Sequence, residues 1–324
     1  MRILVEHGSF LHNEIHVWDF DETFARNRLY HGGFLDYVKY EGQDLPDLLL
    51  FDDLFYNVFP VVCHDPVGRQ WDKESVRSFV CDSLFNQGYA DVLRGCGMWY
   101  IDTALVDGVF RQSPLGYSGS GFFRIICLAG NSQLRSRLSA LPIHWRTLPF
   151  FPKSFFVSNF FSSLLGKPNF HVFCIYEDMA QLITIHQSTY RESYSINLGW
   201  SHIATMCDEQ GILFEDVLDG RLSGAGPEIF LSIAEFIVGQ WIGWMNSFIC
   251  FGYDIVLCGG GVRIRMLIDV LQARLQQFCS YVLPFRYSTH YGSYDFSFDE
   301  SRLIPFAAFA KYSTFLSTRI IFPF

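Results

Sequence analysis

The first twenty residues alternate between apolar and polar positions. Ile3, Val5, Ile15 and Val17 flank Gly8-Ser9, and a period of two broken by glycine predicts a strand, a turn and a returning strand. The shape recurs over His171–Ile185. There Val172, Cys174, Leu182 and Thr184 flank an acidic turn at Glu177-Asp178, and Tyr190–Leu198 reads as a further strand. The chain thus begins the same β-meander twice, about 170 residues apart, which predicts an internal duplication visible in pattern rather than in identity.

Other elements follow from local signals. Trp71–Asn86 reads as an amphipathic helix opening at Asp72. Met98–Phe110 is strand-like, Ser113–Gly121 reads as a Pro/Gly/Ser loop, and Phe122–Leu128 is a strong strand. Ser132–Ala140 reads as a helix and Leu148–Phe151 as a short strand. Lys153–Leu165 is an apolar helix closed by Gly166 and Pro168. That Gly-Lys-Pro is the expected boundary, giving domains 1–166 and 167–324. In the second half, Ser201–Glu209 is a helix, Gly211–Gly226 a polar loop, and Pro227 opens a long helix to Phe248. A buried strand at Tyr253–Cys258 runs into three glycines and a helix over Met266–Phe278. Ser280–Arg286 reads as extended and Leu303–Leu316 as the last helix.

Composition narrows the function classes. With 324 residues, half of them apolar, the chain has material for two ordinary domains. A net charge of -9 gives no general electrostatic reason to bind nucleic acid or an anionic membrane. The 34 Phe, 16 Tyr and 7 Trp supply cores and material for a partner-binding face. Nine scattered cysteines without a C-x-x-C pair read as buried free thiols in a reducing compartment. Cys63 and His64 are adjacent and lack the second pair that a zinc site needs. The N-terminal apolar run is too short for a signal peptide. Ile229–Gly252 is long and apolar enough to span a bilayer. Yet Ser232, Glu235, Gln240 and Asn246 recur on it at helical spacing, so it reads as a core helix with one polar stripe.

Candidate chemistry is sparse. No G-x-S-x-G elbow and no H-E-x-x-H occurs. His7, His12 and His16 read as structural or surface residues, and Asp19, Asp21 and Glu22 as a solvated turn. The sharpest local signal is Tyr253–Cys258 running into Gly259, Gly260 and Gly261, then Val262 and Arg263. It is neither a G-x-G-x-x-G fingerprint nor a P-loop. Glycines after a buried strand let the backbone turn sharply and approach a flat ligand, but they also suit a plain strand-to-helix turn.

In this context the glycine turn resembles the adenosine loop of the actin/Hsp70/sugar-kinase superfamily, and the doubled meander resembles its two phosphate hairpins. The order of elements more closely resembles the PilM/GspL/FtsA-like branch of type IV pilus and type II secretion assembly proteins. Ile3–Val17 resembles the first hairpin, and Phe122–Leu165 the end of the inserted subdomain. Ser195-Ile-Asn-Leu-Gly-Trp-Ser-His-Ile-Ala resembles the strand, glycine and helix after the second hairpin, and Leu303–Leu316 the closing helix. The resemblance implies an α/β, two-lobed actin-like (ribonuclease H-like) fold with a duplicated β-meander and a small inserted subdomain at about 97–161. It also implies ATP with Mg²⁺ as the candidate cofactor. Gly8, Ser9, Gly259, Gly260, Gly261 and Arg263 would meet the nucleotide, and Glu6 would meet the metal through water.

Departures from the family pattern shape the functional expectation. Family ATPases place an Asp and a Gly in each phosphate hairpin. Here the first has Glu6, Gly8 and Ser9, and the second has Tyr176, Glu177 and Asp178 without glycine. Unless a metal intervenes, two carboxylates in a glycine-free turn repel phosphate, so hydrolysis is expected to be lost or very slow and no catalytic residue is assigned. The resemblance then implies a cytoplasmic scaffold peripheral to the inner membrane. Its expected partners are the cytoplasmic tail of an inner-membrane assembly protein and the platform or motor ATPase subunits, with no nucleic acid. Trp99, Tyr100, Trp145 and Phe150 are the expected partner anchors. The alternative is an active ATP-dependent enzyme, a divergent kinase or a polymerising, self-associating ATPase, for which the sequence offers no convincing base.

Overall fold

The computed structural model describes residues 1–8, 13–21, 25–32, 34–40, 45–51, 53–93, 97–111, 113–146, 148–279, 282–284, 307–309, 311–312 and 321–323. The chain divides into two compact units, Met1–Phe156 with Ala307–Phe324, and Val157–Phe306. The division falls earlier than the Gly166 expected from the sequence, and the C-terminal segment joins the first unit. Aromatic contacts explain that: Phe309 stacks on Phe20 at 4.6 Å, and Tyr312 packs edge-on against Phe151 and Phe156.

The first unit opens with β1 (Arg2–Gly8), β2 (Asn13–Phe20), β3 (Ala25–His31), α1 (Phe34–Tyr40) and β4 (Leu48–Phe51). All four residues of β4 are buried, the continuous apolar run of a strand covered on both faces. β5 (Tyr56–Gln70) follows, then α2 (Lys73–Asn86), α3 (Ala90–Leu93), β6 (Gly97–Val106), β7 (Val109–Arg111) and β8 (Ser118–Gly130). α4 (Ser132–Ala140), α5 (Ile143–Arg146), β9 (Phe150–Pro152) and α6 (Phe155–Leu165) lead to the second unit. One sheet has the order β3-β2-β1-β4-β9, antiparallel from β1 to β3 and parallel from β1 through β4 to β9.

The remaining strands of this unit form a separate antiparallel sheet, in which β8 lies between β5 and β6 and β7 extends β6. It begins at Tyr56, well before the expected insert limit of 97. α2 covers one face with Val76, Phe79, Val80 and Leu84, which pack with Trp71, Trp99 and Phe123. The helix starts where the sequence puts it, because Asp72 accepts from the Ser75 amide at 2.7 Å while the Ser75 hydroxyl accepts from the Asp72 amide at 2.8 Å. Met98–Phe110 is a hairpin rather than one strand. Asp107 and Gly108, at φ 51 and 75, make the tight turn that a two-residue hairpin loop requires.

The second unit repeats the first sheet. β10 (Phe170–Ile175), β11 (Ala180–His186) and β12 (Thr189–Ile196) form the meander, followed by α7 (Trp200–Glu209), α8 (Phe214–Leu218) and α9 (Gly226–Met245). β13 (Asp254–Cys258), α10 (Arg265–Leu275) and β14 (Val282–Pro284) complete it, and β15 (Ile321–Pro323) pairs with β6 in the first unit. The order is β12-β11-β10-β13-β14, again antiparallel through the meander and parallel from β10 through β13 to β14. α9 buries one face, Phe230, Ile233, Ala234, Ile237, Val238, Trp241 and Met245, against this sheet's core. Among the described residues no helix is long and apolar enough to cross a membrane. Of the expected Leu303–Leu316 helix, residues 307–309 and 311–312 are helical and the rest lie outside the described residues.

Candidate functional site

In each repeated sheet the parallel strands deliver their C-terminal ends to one edge, the place where open α/β sheets build ligand sites. In the second unit that edge gathers the two features singled out from the sequence. β10 ends at Ile175 and runs into the acidic turn, and β13, its parallel neighbour, ends at Cys258 and runs into the glycines.

The acidic turn is closed by its own chain. The Tyr176 amide donates to the Met179 carbonyl at 2.9 Å across the hairpin. The N-terminus of α7 then faces the turn. The Trp200 amide donates to Tyr176 O and the Ser201 amide to Glu177 O, both at 2.9 Å, and the Ser201 hydroxyl donates to Glu177 O at 2.8 Å. These are the first amides of a helix, the donors that most readily hold an anion, and here backbone carbonyls occupy them. Gly199 makes the approach possible, since a Cβ there would lie 2.1 Å from Glu177 O and 2.4 Å from Tyr176 O. The Gly199 amide donates to His202 Nδ1 at 3.2 Å, which returns one more helix-start bond to the α7 side chains. Glu177 and Asp178 are exposed.

The glycine loop is held in a similar way. Gly259 has φ +89, and a Cβ on it would meet Ile175 O at 2.6 Å. A Cβ on Gly261 would meet Ile175 Cγ2 at 2.3 Å. Gly260–Arg263 forms a short 3₁₀ turn, with the Val262 amide donating to Gly259 O at 3.2 Å. Gly259 and Gly260 are half-buried, Gly261 and Val262 are buried, and Arg263 points to solvent. The space that glycine frees at 259 and 261 is therefore filled by β10 and not by a ligand-sized gap.

In the first unit, Gly8 ends β1 opposite Asn13, and Glu6 pairs through its backbone with Ile15. Ser9 and the Glu6 side chain lie outside the described residues. Beyond the neighbouring strand ends are groups that sequence reasoning did not reach. Asp53 follows β4, and Lys153-Ser154 follows β9; all three are buried. The Ser154 hydroxyl donates to Asp53 Oδ1 at 2.7 Å, and its amide donates to the same oxygen at 3.3 Å. A buried lysine after an apolar strand was the available signal, obscured because Lys153 had been assigned to the start of the apolar helix. Among the described residues no group of three or more His, Cys, Asp or Glu could hold a metal ion.

The residues of the second unit do not fit a triphosphate. The Trp200 and Ser201 amides of α7 are bonded to the Tyr176 and Glu177 carbonyls, and the turn carries two exposed carboxylates, so these groups oppose a phosphate rather than hold one. The proposed anchors Trp99, Tyr100, Trp145 and Phe150 are a correction. They are 0%, 4%, 1% and 7% exposed. Trp99 and Tyr100 lie on β6 inside its sheet, Trp145 packs edge-on against Phe34, and Phe150 packs against Tyr56. Exposed apolar groups occur instead on the face of that sheet opposite α2. His64, Phe122, Leu105 and Phe110 are cross-strand neighbours in register on β5, β8, β6 and β7, with Phe122 40% and Phe110 63% exposed.

The duplicated sheet, each copy with strand order 3-2-1-4-5 and one parallel half, is the doubled α/β plan that the resemblance to the actin-like superfamily implies. Solved structures are similar to the chain at low identity. A PilM–PilN type IV pilus biogenesis complex matches at 12% identity over 91% of this chain and 92% of that one, with a TM-score of 0.43. A Bacteroides thetaiotaomicron protein with an actin-like ATPase fold and unknown function matches at 10% identity over 88% and 90%, TM-score 0.40. Component A of the Acidaminococcus fermentans (R)-2-hydroxyglutaryl-CoA dehydratase matches at 13% over 46% of this chain, TM-score 0.35, and the chain spans only 66% of its length. No protein-family model matches the chain, and no curated protein matches it in sequence.

Proposed function

We propose that this protein is a cytoplasmic, actin-like scaffold of the PilM/GspL/FtsA-like kind. It binds the cytoplasmic segment of an inner-membrane pilus or secretion assembly protein and does not turn over ATP. The observation that carries the reading is the closed second hairpin: the Tyr176 and Glu177 carbonyls take the α7 amides at 2.9 Å, and Gly199 admits them. A site whose leading helix donors are spent within the chain is poorly equipped to stabilise a transferring phosphoryl group. The order of elements read in the sequence supports the assembly-protein branch.

The partner surface is the row formed by exposed Phe122, half-buried Leu105 and exposed Phe110, with Val62 and His64 beside it. Aromatic groups standing out from a rigid sheet lose little entropy on binding and make good anchors for a short apolar segment. The test titrates cytoplasmic peptides of inner-membrane pilus and secretion assembly proteins against the wild type and a Phe110→Ser, Phe122→Ser double variant. The reading expects binding in the micromolar range, weakened about tenfold or more in the variant. Equal binding by both proteins sinks the surface assignment, and failure of every peptide sinks the scaffold reading.

A further inference from the structure

The second unit sets two thiols face to face. Cys174 lies on β10 and Cys258 ends β13, and the two are direct partners in the parallel register. Their Sγ atoms are 3.1 Å apart, although 84 residues separate them in sequence. Both residues are fully buried. Neighbouring strands hold paired Cα atoms about 5 Å apart, inside the span of roughly 4.4–6.8 Å that a disulfide bridges. Each cysteine also directly precedes one side of a close approach at this edge: Ile175 follows Cys174, Gly259 follows Cys258, and a Cβ on Gly259 would lie 2.6 Å from the Ile175 carbonyl oxygen.

We propose that Cys174 and Cys258 are a latent disulfide that closes reversibly when the protein meets a peroxide, stapling β10 to β13 at the root of the glycine loop. One thiolate attacks a peroxide oxygen, the O–O bond breaks, and a sulfenic acid and one water result. The second sulfur then attacks the sulfenic sulfur. The S–S bond forms, the S–O bond breaks, and the oxygen leaves as a second water with the remaining thiol proton. Two thiols lose two electrons and two protons, and hydrogen peroxide is reduced to two waters. The resolving thiol already sits in contact, so ring closure outruns further oxidation of the sulfenic acid. Burial selects the oxidant. Hydrogen peroxide is small enough to enter on a brief local opening of the strand ends, so it reacts far faster than a larger disulfide or thiol reagent, which needs a wider and rarer opening. A thiol reductant reopens the bond.

The experiment uses the full chain. Native protein is treated with graded hydrogen peroxide, unfolded in N-ethylmaleimide to block remaining thiols, digested and mapped by mass spectrometry. The expected result is a peptide pair linked through Cys174 and Cys258, an intact mass lower by about 2 Da before blocking, and reversal by dithiothreitol. The unfolding midpoint of the oxidised protein rises by roughly 5–10 °C, because the bond closes a long loop. Cys174→Ala and Cys258→Ala each abolish the linked pair, and the wild-type map stands on its own if either variant folds poorly. The proposal is overturned if both cysteines carry N-ethylmaleimide after peroxide treatment, if they end as sulfinic acids, or if they are found linked to other cysteines.

Discussion

Acid should destabilise the second unit through one imidazole. His171 lies in β10, fully buried. Its Nε2 accepts from the Cys250 amide at 3.0 Å, and Nδ1 lies 3.2 Å from the Thr184 hydroxyl. Burial pushes its pKa down from 6.5 to about 4, and the bond from Cys250 needs an unprotonated Nε2. The folded-state value is depressed, so the unfolded chain takes up the proton first. The stability is fully present above pH 6.5 and drains away as pH falls toward 4. The whole drop is worth about 3 kcal/mol, and about 2.5 kcal/mol of it is lost between pH 7.5 and 4.5. Carboxylates also titrate in this range, so the comparison is with His171→Gln, which keeps an acceptor for Cys250 but cannot protonate. Urea unfolding of both proteins at pH 7.5, 6.5, 5.5 and 4.5 should show the wild type losing about 2.5 kcal/mol more than the variant. Parallel pH dependences, or an imidazole that titrates near its ordinary value by NMR, would refute the reasoning.

Three other substitutions probe the site and its supports. Gly261→Ala drives a methyl into Ile175 Cγ2 and should cost about 2 kcal/mol; in the Ile175→Ala background the cost should shrink by about 1 kcal/mol or more in a double-mutant cycle of denaturation free energies. Gly199→Ala puts its methyl against two backbone carbonyls that no rotamer change can move, so thermal or urea unfolding should show a loss of about 3 kcal/mol or more. Asn131, whose Oδ1 caps α4 through the Gln133 and Leu134 amides at 3.0 Å, should lose about 1 kcal/mol as Asn131→Ala in the same assay.

Much of the fold could be read from local patterns, and the failures have physical causes. The two meanders stood out as apolar runs broken by short turns, although β10 and β11 are buried on both faces, and α4, α7 and α9 because their periodicity and start signals agree. β5 escaped notice: Pro60, Asp65, Pro66, Gly68 and Arg69 make it look like a loop, and an edge strand with a bulge between Asp65 and Arg69 tolerates them. Ser118–Gly121 was assigned to a loop for its glycines and serines, yet it is the start of β8. Gly121 leaves room for the Trp71 ring, 2.4 Å from where a Cβ would stand, and Trp71 Nε1 donates to Gly119 O at 3.1 Å. The same masking affected the site. The triple glycine signalled a turn correctly, but its reason is contact with Ile175, which lies 84 positions from Gly259 and leaves no trace nearby. Gly199-Trp200-Ser201 was noticed as part of a family pattern, whereas its effect on the hairpin depends on a close approach seen only in three dimensions. Trp99 and Tyr100 looked like anchors because aromatic identity alone does not tell a central strand from an exposed one.

The proposal that the actin-like fold has here lost its phosphate chemistry meets its most direct test in ATP itself. Isothermal titration with ATP and Mg²⁺, paired with a phosphate-release assay on the same sample, reads binding and turnover together. A closed second hairpin predicts no phosphate release above the buffer background and no binding that depends on the γ-phosphate, so ATP and ADP behave alike. Micromolar binding that favours ATP over ADP, with steady phosphate release, would contradict the account and show that α7 frees its amides for the nucleotide.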